Sequence, residues 1–156
     1  AGAYEFLQGN ISSDSDWDAV RSRGPFDVTL CAGILYHVRN YREILAWAAA
    51  VTRDVLIVDT RVDDVEETLI EEPGELFFNA IPETRVKVVP NRNRLLQCLS
   101  ELGFATEVLP VGFESGLGVD DVDDYAGGRR ITILARRVRV ASDVAAESGA
   151  SRGLAR

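Results

Sequence analysis

Two apolar runs with a helical segment between them constrain the fold of this chain most strongly. Phe26–Cys31 is nearly continuous in apolar residues, and so is Val55–Val58. Strands buried on both faces have this pattern, and such strands belong to parallel sheets covered by helices. The segment between them predicts a helix, with Asn40 and Glu43 as a capping-box pair and a buried face of Ile44, Leu45, Trp47, Ala48 and Val51.

The rest of the chain extends this strand–helix–strand unit in both directions. Further elements are predicted at residues 4–7 (strand), 16–21 (helix), 92–102 (helix), 104–109 (strand) and 131–136 (strand). The last two strands have no helix between them and should therefore be antiparallel. The order predicts an α/β layered domain with a mostly parallel sheet.

A long acidic segment interrupts the core elements. Residues 59–90 are rich in Asp and Glu and contain three prolines, which favours a cap or lid over the domain, although the acidic part, residues 63–75, is also typical of a solvated helix face. Residues 141–156 are small and polar and predict a flexible tail. The expected organisation is one domain over residues 1–140 with a cap insertion, followed by the tail.

Composition excludes several classes of protein. The 156 residues include 17 basic and 25 acidic side chains, for a net charge of −8, and nucleic-acid binding needs a basic face. No apolar run approaches the roughly 18–20 residues of a membrane span. Cys31 and Cys98 lie in apolar runs, which favours reduced core thiols in a cytoplasmic protein over a disulfide or a metal site.

Ligands of such sheets bind at the carboxyl ends of the strands. The segments that follow the predicted strands are Gln8–Ile11, Cys31–His37 and Asp59–Arg61. We therefore expect the functional residues there.

The run Phe26–Val38 (FDVTLCAGILYHV) resembles the fourth strand and following turn of class I S-adenosylmethionine-dependent methyltransferases. Pro90-Asn91, the Leu-rich helix and Gly103-Phe104 are similar to a late part of that family, and the resemblance covers roughly residues 4–137. It implies a Rossmann-like three-layer sandwich with an antiparallel last strand pair. It also implies S-adenosylmethionine as cofactor and a small-molecule methyl acceptor.

One departure from the family is substantial. The family has a glycine-rich loop after its first strand and an acidic residue after its second, and neither is found in this sequence. By this alignment the chain starts at the family's third strand, so the edge of Phe26–Cys31 lacks its neighbour. An open apolar edge favours pairing, and we expect a homo-oligomer, an N-terminal half or an unusual packing of residues 1–25 to complete the sheet.

The resemblance implies a cofactor site. Asn10 stands where the family places an adenine-binding Asp, with Ile11 on the ring face; the alternative is a turn at Gly9-Asn10. Cys31, Ala32 and Gly33 stand where the family's backbone lines the methionine part of the cofactor, and Gly33 permits close approach. The alternative there is simple packing at a strand end.

His37 is the single histidine and the candidate catalytic base. Its alternatives are a hydrogen bond to backbone or packing beneath the cofactor. Tyr36 would border the same pocket or belong to the core. Asp59 and Arg61 would bind or orient a polar substrate, or form a solvated strand end, and the cap would add Phe77 and Phe78 as apolar walls.

Two sets of charged residues are expected to be solvated rather than to form a site. The acidic loop between the last two strands, with Asp120, Asp121, Asp123 and Asp124, lacks the spacing of a calcium site. The arginines that flank or end the last strand are also expected to be solvated and to contribute to solubility; they are Arg129, Arg130, Arg136, Arg137 and Arg139.

Two functions remain from different classes. The first is a methyltransferase acting on a small molecule, or the C-terminal portion of one, without metal. The second is a non-catalytic Rossmann-like binding or assembly module that has lost the donor site. A third function, a nicotinamide-dependent enzyme, has no support, because the sequence lacks the glycine-rich motif of that class.

Overall fold

The computed structural model describes residues 4–71, 86–110 and 124–139. Three helices, α1 to α3, span Asp14–Arg21, Tyr41–Ala50 and Arg92–Glu101. Six strands, β1 to β6, span Phe26–Ala32, Thr52–Arg61, Thr68–Glu71, Val86–Val89, Phe104–Leu109 and Arg130–Arg137. A short 3-10 helix, Leu35–His37, follows β1.

Four of the strands form the main sheet, in the order β1-β2-β6-β5. β1 and β2 are parallel, while β6 is antiparallel to both β2 and β5. Three strands therefore run in one direction and one against them. The predicted fold class, an α/β Rossmann-like sheet with an antiparallel last strand pair, is confirmed.

One face of this sheet is covered by helices. Cys31 pairs with Val58 and Val58 with Ile133, so these three side chains share a face. Their exposed fractions are 5%, 0% and 0%, and they pack in one core with Leu45 of α2 and Leu99 of α3. α1 lies against α2, where the Trp17 and Trp47 rings approach to 5.9 Å. We call this the covered face.

The opposite face carries apolar side chains that remain accessible. Val28 and Leu30 of β1 are 57% and 66% exposed, and Val55, Ile57 and Leu134 beside them are half-buried. β1 is also an edge strand, since β2 is its single partner among the described strands. The expected open edge is thus present. We call the face of the sheet that carries Val28 and Leu30 the uncovered face.

The N-termini of α2 and α3 are capped differently. The Asn91 side chain accepts a hydrogen bond from the backbone N–H of Arg94 at 3.1 Å and caps α3. Asn40 precedes α2 but makes no capping bond; its amide instead lies 3.5 Å from the Ser12 carbonyl, as donor. The predicted capping box at Asn40 is therefore wrong, because its side chain contacts the loop before α1 instead of the first turn of α2.

The predicted strand at residues 4–7 is also wrong. These residues have no strand pairing, and Tyr4 and Phe6 are 84% and 90% exposed. Glu5 makes an ion pair with Arg23 at 2.7 Å. A strand needs a neighbour for its backbone hydrogen bonds, and the described sheet offers none here.

The segment after β2 is partly described. β2 continues to Arg61, residues 64–66 form bends rather than a helix, and β3 and β4 form a two-stranded antiparallel sheet. Phe77, Phe78 and the tail at residues 141–156 lie outside the described residues. The cap and the domain limits therefore stay predictions.

Among the helices that the structure describes, none combines the length and the apolarity needed to cross a bilayer.

Candidate functional site

The carboxyl ends of β1 and β2 meet at one edge of the sheet. The two strands are parallel, and Ala32 pairs with Asp59. The Gly33 N–H donates to the Asp59 carbonyl at 2.9 Å, which joins the turn after β1 to the end of β2. The structure thus brings the segments of residues 31–37 and 59–61 together, as the sequence predicted.

Asp59 is the centre of a polar network at this edge. It is 8% exposed. The Arg130 Nε donates to its Oδ1 at 2.8 Å, and the Thr132 hydroxyl donates to its Oδ2 at 2.8 Å. The Tyr125 hydroxyl donates to the same Oδ2. Every oxygen of this buried carboxylate is therefore satisfied, as a charge removed from water requires.

The network favours an ionised Asp59. Burial raises the pKa of Asp59, but the hydrogen bonds from Tyr125, Thr132 and Arg130 outweigh it, so that this pKa lies below its usual value. The pKa of Tyr125 is raised by burial and by its bond to Asp59. Asp59 is thus a fixed negative charge that holds neighbouring groups, and its lowered pKa is unsuited to proton transfer near neutral pH.

Two guanidinium groups lie close to the Tyr36 ring. The Arg61 and Arg130 guanidinium carbons are 5.5 and 5.9 Å from the centre of its ring, within the range of cation–π attraction. The ring of His37 is 4.0 Å from that of Tyr36. His37 is exposed, and its backbone N–H donates to the Ile34 carbonyl. The side chain of His37 is thus at the surface of this edge, accessible to a ligand.

A second charged group adjoins the first. Asp124, in a helical turn at residues 124–126, is 7% exposed. The Arg61 Nη2 lies 2.6 Å from its Oδ2, and the Arg129 Nε donates to its Oδ1 at 2.9 Å. Burial raises the pKa of Asp124, but these two arginines lower it below its usual value. One carboxylate therefore serves two guanidinium groups.

A cleft of about 460 Å³ opens beside this group. Its charged lining residues are Arg61, Arg129, Asp124, Asp63 and Asp64. Its remaining lining is Val62, Val89, Gly127 and Gly128. The cleft therefore lies just beyond the carboxyl end of β2, next to the Asp59 network.

The predicted cofactor residues have different surroundings. Asn10 is exposed, and its side-chain oxygen accepts from the Ser12 N–H at 2.9 Å, which is the turn geometry that the sequence left open. The Ile11 carbonyl accepts from the Trp17 indole at 2.9 Å, and its side chain packs against the core. An adenine-binding role for these two residues stays a prediction.

The turn after β1 offers space at Gly33. Its φ of +70° favours glycine, and a Cβ there would have the Arg130 Nη2, at 3.7 Å, as its nearest contact. Ala32 is exposed, whereas Cys31 is buried among core residues, and burial raises the pKa of its thiol to about 11. A ligand can therefore approach the backbone at Ala32 and Gly33, while the Cys31 side chain belongs to the core.

Sequence reasoning missed much of the network. Arg130 and Asp124 were expected to be solvated, and both expectations are wrong: the Arg130 side chain is 12% exposed, and that of Asp124 is 9% exposed. The register explains Arg130, since Arg61 pairs with Arg130 and Asp59 with Thr132. An Asp at the end of one strand and an Arg at the start of its antiparallel neighbour were the available signal.

Metal ligands are not grouped in the described ranges, where no three His, Cys, Asp or Glu side chains are arranged to hold an ion.

The comparisons with known proteins bear on the fold. No protein-family model matches the sequence, and no curated protein matches it significantly. The N-terminal domain of EvdMO1, crystallised in the presence of S-adenosylhomocysteine and D-fucose, matches with a TM-score of 0.57 and 21% identity over 84% of this chain and 53% of that one.

Two structures from Burkholderia thailandensis are also similar. An O-methyltransferase family protein has a TM-score of 0.53 and 14% identity over 85% of this chain and 35% of its own. A 1,6-didemethyltoxoflavin-N1-methyltransferase, with that substrate and S-adenosylhomocysteine bound, has a TM-score of 0.50 and 15% identity over 83% and 60%.

These neighbours define the fold class of the chain. The sheet has the Rossmann-like fold of S-adenosylmethionine-dependent methyltransferases, and the chain spans about half of the first of these structures. At such identities the likeness concerns the fold, so cofactor and substrate have to be argued from the site.

Proposed function

We propose that this chain is the acceptor-binding portion of an S-adenosylmethionine-dependent methyltransferase that acts on a small molecule. The observation that carries the proposal is the juxtaposition of an open glycine turn at Gly33 with a polar network around Asp59 at the ligand edge of the sheet. The methyltransferase fold of the neighbours supports it.

The cofactor would approach the backbone at Ala32 and Gly33. The positive φ of Gly33 and the space beside it fit a ligand in van der Waals contact with the backbone. When bound, the cofactor supplies a methyl group activated by a sulfonium. The loop that holds the rest of the cofactor would come from a segment that covers the uncovered face.

The chain's own residues would position the acceptor. Methyl transfer is an in-line displacement, in which the acceptor's lone pair forms the new bond as the carbon–sulfur bond breaks and its electron pair returns to sulfur. Aligning the acceptor can supply several kcal/mol of the rate enhancement, on the order of 7 or more in well-oriented cases. Tyr36 and Arg61 would orient the acceptor here, with Asp59 holding Arg130 in place.

His37 would take the proton that a hydroxyl or amine acceptor loses. It is exposed at the same edge, beside Tyr36. In the complete enzyme, replacing His37 by Ala should lower turnover about 10²-fold or more. Unchanged turnover would remove this role.

Amide chemical shifts measured during titration with S-adenosylhomocysteine test the proposal. We expect saturable shifts at Ala32 and Gly33, even with weak affinity, and none at Gly103, which lies between α3 and β5 at the opposite edge of the sheet. A folded chain with no shift at Ala32 or Gly33 at millimolar ligand would contradict it.

One observation favours the non-catalytic alternative. Val28 and Leu30 are exposed on an open edge strand, as expected for a module that assembles with another chain. The shift titration separates the two, because a module that has lost the donor site leaves the Gly33 amide unchanged.

A further inference from the structure

The cleft beyond β2 contains an uneven arrangement of charge. Arg61 and Arg129 both contact the Asp124 carboxylate, at 2.6 and 2.9 Å. Their side chains are 43% and 66% exposed, while that of Asp124 is 9% exposed. Among the described side chains of this group, two cations therefore share one buried anion.

The other two carboxylates that line the cleft, Asp63 and Asp64, have partners of their own. Asp64 makes an ion pair with Arg92 at 2.8 Å. The Asp63 side chain accepts from the Val65 backbone N–H at 2.8 Å. The neighbouring Asp59 is engaged by Arg130. None of these contacts reaches the guanidinium groups of Arg61 and Arg129.

Arg61 also has hydrogen-bonding capacity to spare. Its Nε is buried and has no hydrogen-bond partner within the described part of the chain. A buried donor without a partner costs free energy, and an acceptor oxygen of a water or a ligand would remove this cost. A guanidinium presents five donors in a planar fork that matches carboxylate and phosphate oxygens.

We propose that Arg61 and Arg129 form an anion site, and that it binds a carboxylate or phosphate group of the methyl acceptor. The end of the β2–β6 ladder fixes the two arginines, since the Val62 N–H donates to the Arg129 carbonyl at 2.8 Å. Asp124 holds both guanidinium groups in place before the ligand arrives. The identity of the ligand as the acceptor rests on the proposed function, whereas the anion site itself does not.

Titration of the chain with inorganic phosphate and, separately, with acetate tests the site. We expect saturable binding that weakens as salt is added, with shifts of the Arg61 and Arg129 side-chain N–H signals. Tighter phosphate binding indicates a phosphorylated acceptor, and tighter acetate binding indicates a carboxylate. A chain that binds neither anion overturns the proposal.

Three variants sharpen this test. Arg61→Gln and Arg129→Gln should each weaken anion binding about tenfold, as expected for a lost charge-assisted hydrogen bond. Arg136→Gln removes the same charge from an exposed position of β6 outside the cleft and should leave affinity unchanged. An equal loss in all three variants would reduce the effect to net charge and overturn the site.

Two further measurements separate folding and function from the site. Arg61→Lys keeps the charge but loses the fork, and it should restore part of the affinity lost in Arg61→Gln if the latter is folded. The S-adenosylhomocysteine titration is independent of this one. Anion binding without a shift at Gly33 would remove the proposed function and keep the anion site, and the reverse result would remove only the site.

Discussion

The two faces of the main sheet differ sharply, although the same strands form both. On the covered face Leu56, Val58 and Ile133 are fully buried beneath the helices. On the uncovered face the neighbouring Leu30 is 66% exposed. Among the described residues, the polar side chains of Asp59, Thr132 and Arg130 lie together on this face at the carboxyl end of β2, as the strand register places them.

This difference shows which face of the sheet is buried by the chain's own helices. The covered face buries a continuous core with elements of this chain alone. Sheets with parallel strands are ordinarily covered on both faces, so we expect the uncovered face to be the place where another segment or copy docks. The polar network around Asp59 lies on this uncovered face, at the carboxyl end of β2.

A matched pair of leucines tests the contrast with the largest expected effect. Leu56→Ala, on the covered face, should lower the free energy of unfolding by about 3–5 kcal/mol, because it leaves a cavity in the core. Leu30→Ala, on the adjacent strand, should cost less than about 1 kcal/mol, since its side chain is mostly in water. Urea titrations of both variants measure the difference, and equal losses would contradict a sheet covered on one side.

The polar network should stabilise the chain in a pH-dependent way. Asp59→Asn should cost about 3 kcal/mol near neutral pH, because it removes the buried negative charge that contacts Arg130. The pKa of Asp59 is lowered by folding. Its contribution is therefore complete above the unfolded Asp pKa of about 3.9 and is lost as the pH falls through the folded value.

Unfolding midpoints of the wild type and Asp59→Asn, measured between neutral and acidic pH, check this sign. The gap between the two proteins should close toward acid. A gap that is constant with pH would mean that Asp59 contributes through packing rather than through its charge.

Cys31 reports on the covered face directly. Burial raises its pKa to about 11, so near neutral pH its thiolate fraction is roughly 300-fold below that of an unfolded cysteine of pKa about 8.5. In a Cys98→Ser variant, alkylation of the native chain should be slower by at least this factor than in denaturant. Rapid alkylation of the native variant would show that the covered face opens readily.

The smallest stability effect is expected on the uncovered face. Leu30→Lys should change stability by less than about 0.5 kcal/mol, while it reduces the binding of a hydrophobic dye and any self-association. Val65→Lys, at an 88% exposed position away from β1, is the control. Dye fluorescence and sedimentation measure both, and an equal response of the two variants would remove the special role of β1.

Local pattern was sufficient to predict most of the core. β5 was predicted at Phe104–Leu109, its observed bounds, because Gly103 ends the preceding helix and the apolar run follows at once. The parallel pairing of β1 and β2 followed from the helix between them. The strand at residues 4–7 failed because strand formation depends on a neighbour rather than on apolar residues alone.

The site was predictable only in part. The position of Asp59 and Arg61 after a buried strand placed them at the ligand edge. The burial of Arg130 depends on the register of β6 against β2, and that of Asp124 depends on a turn that folds back onto Arg61. Composition carries neither piece of information, so both residues resembled ordinary surface charges.

Calorimetric titration of two glycine variants with S-adenosylhomocysteine tests whether the cofactor binds at the end of β1. Gly33 and Gly103 both have a positive φ, and in each case a Cβ added to the backbone would lie 3.7 Å from an arginine Nη atom, so alanine strains the two positions similarly. They lie at opposite edges of the sheet. We expect Gly33→Ala to abolish binding and Gly103→Ala to preserve it, and equal binding by the two variants would contradict a cofactor site at the end of β1.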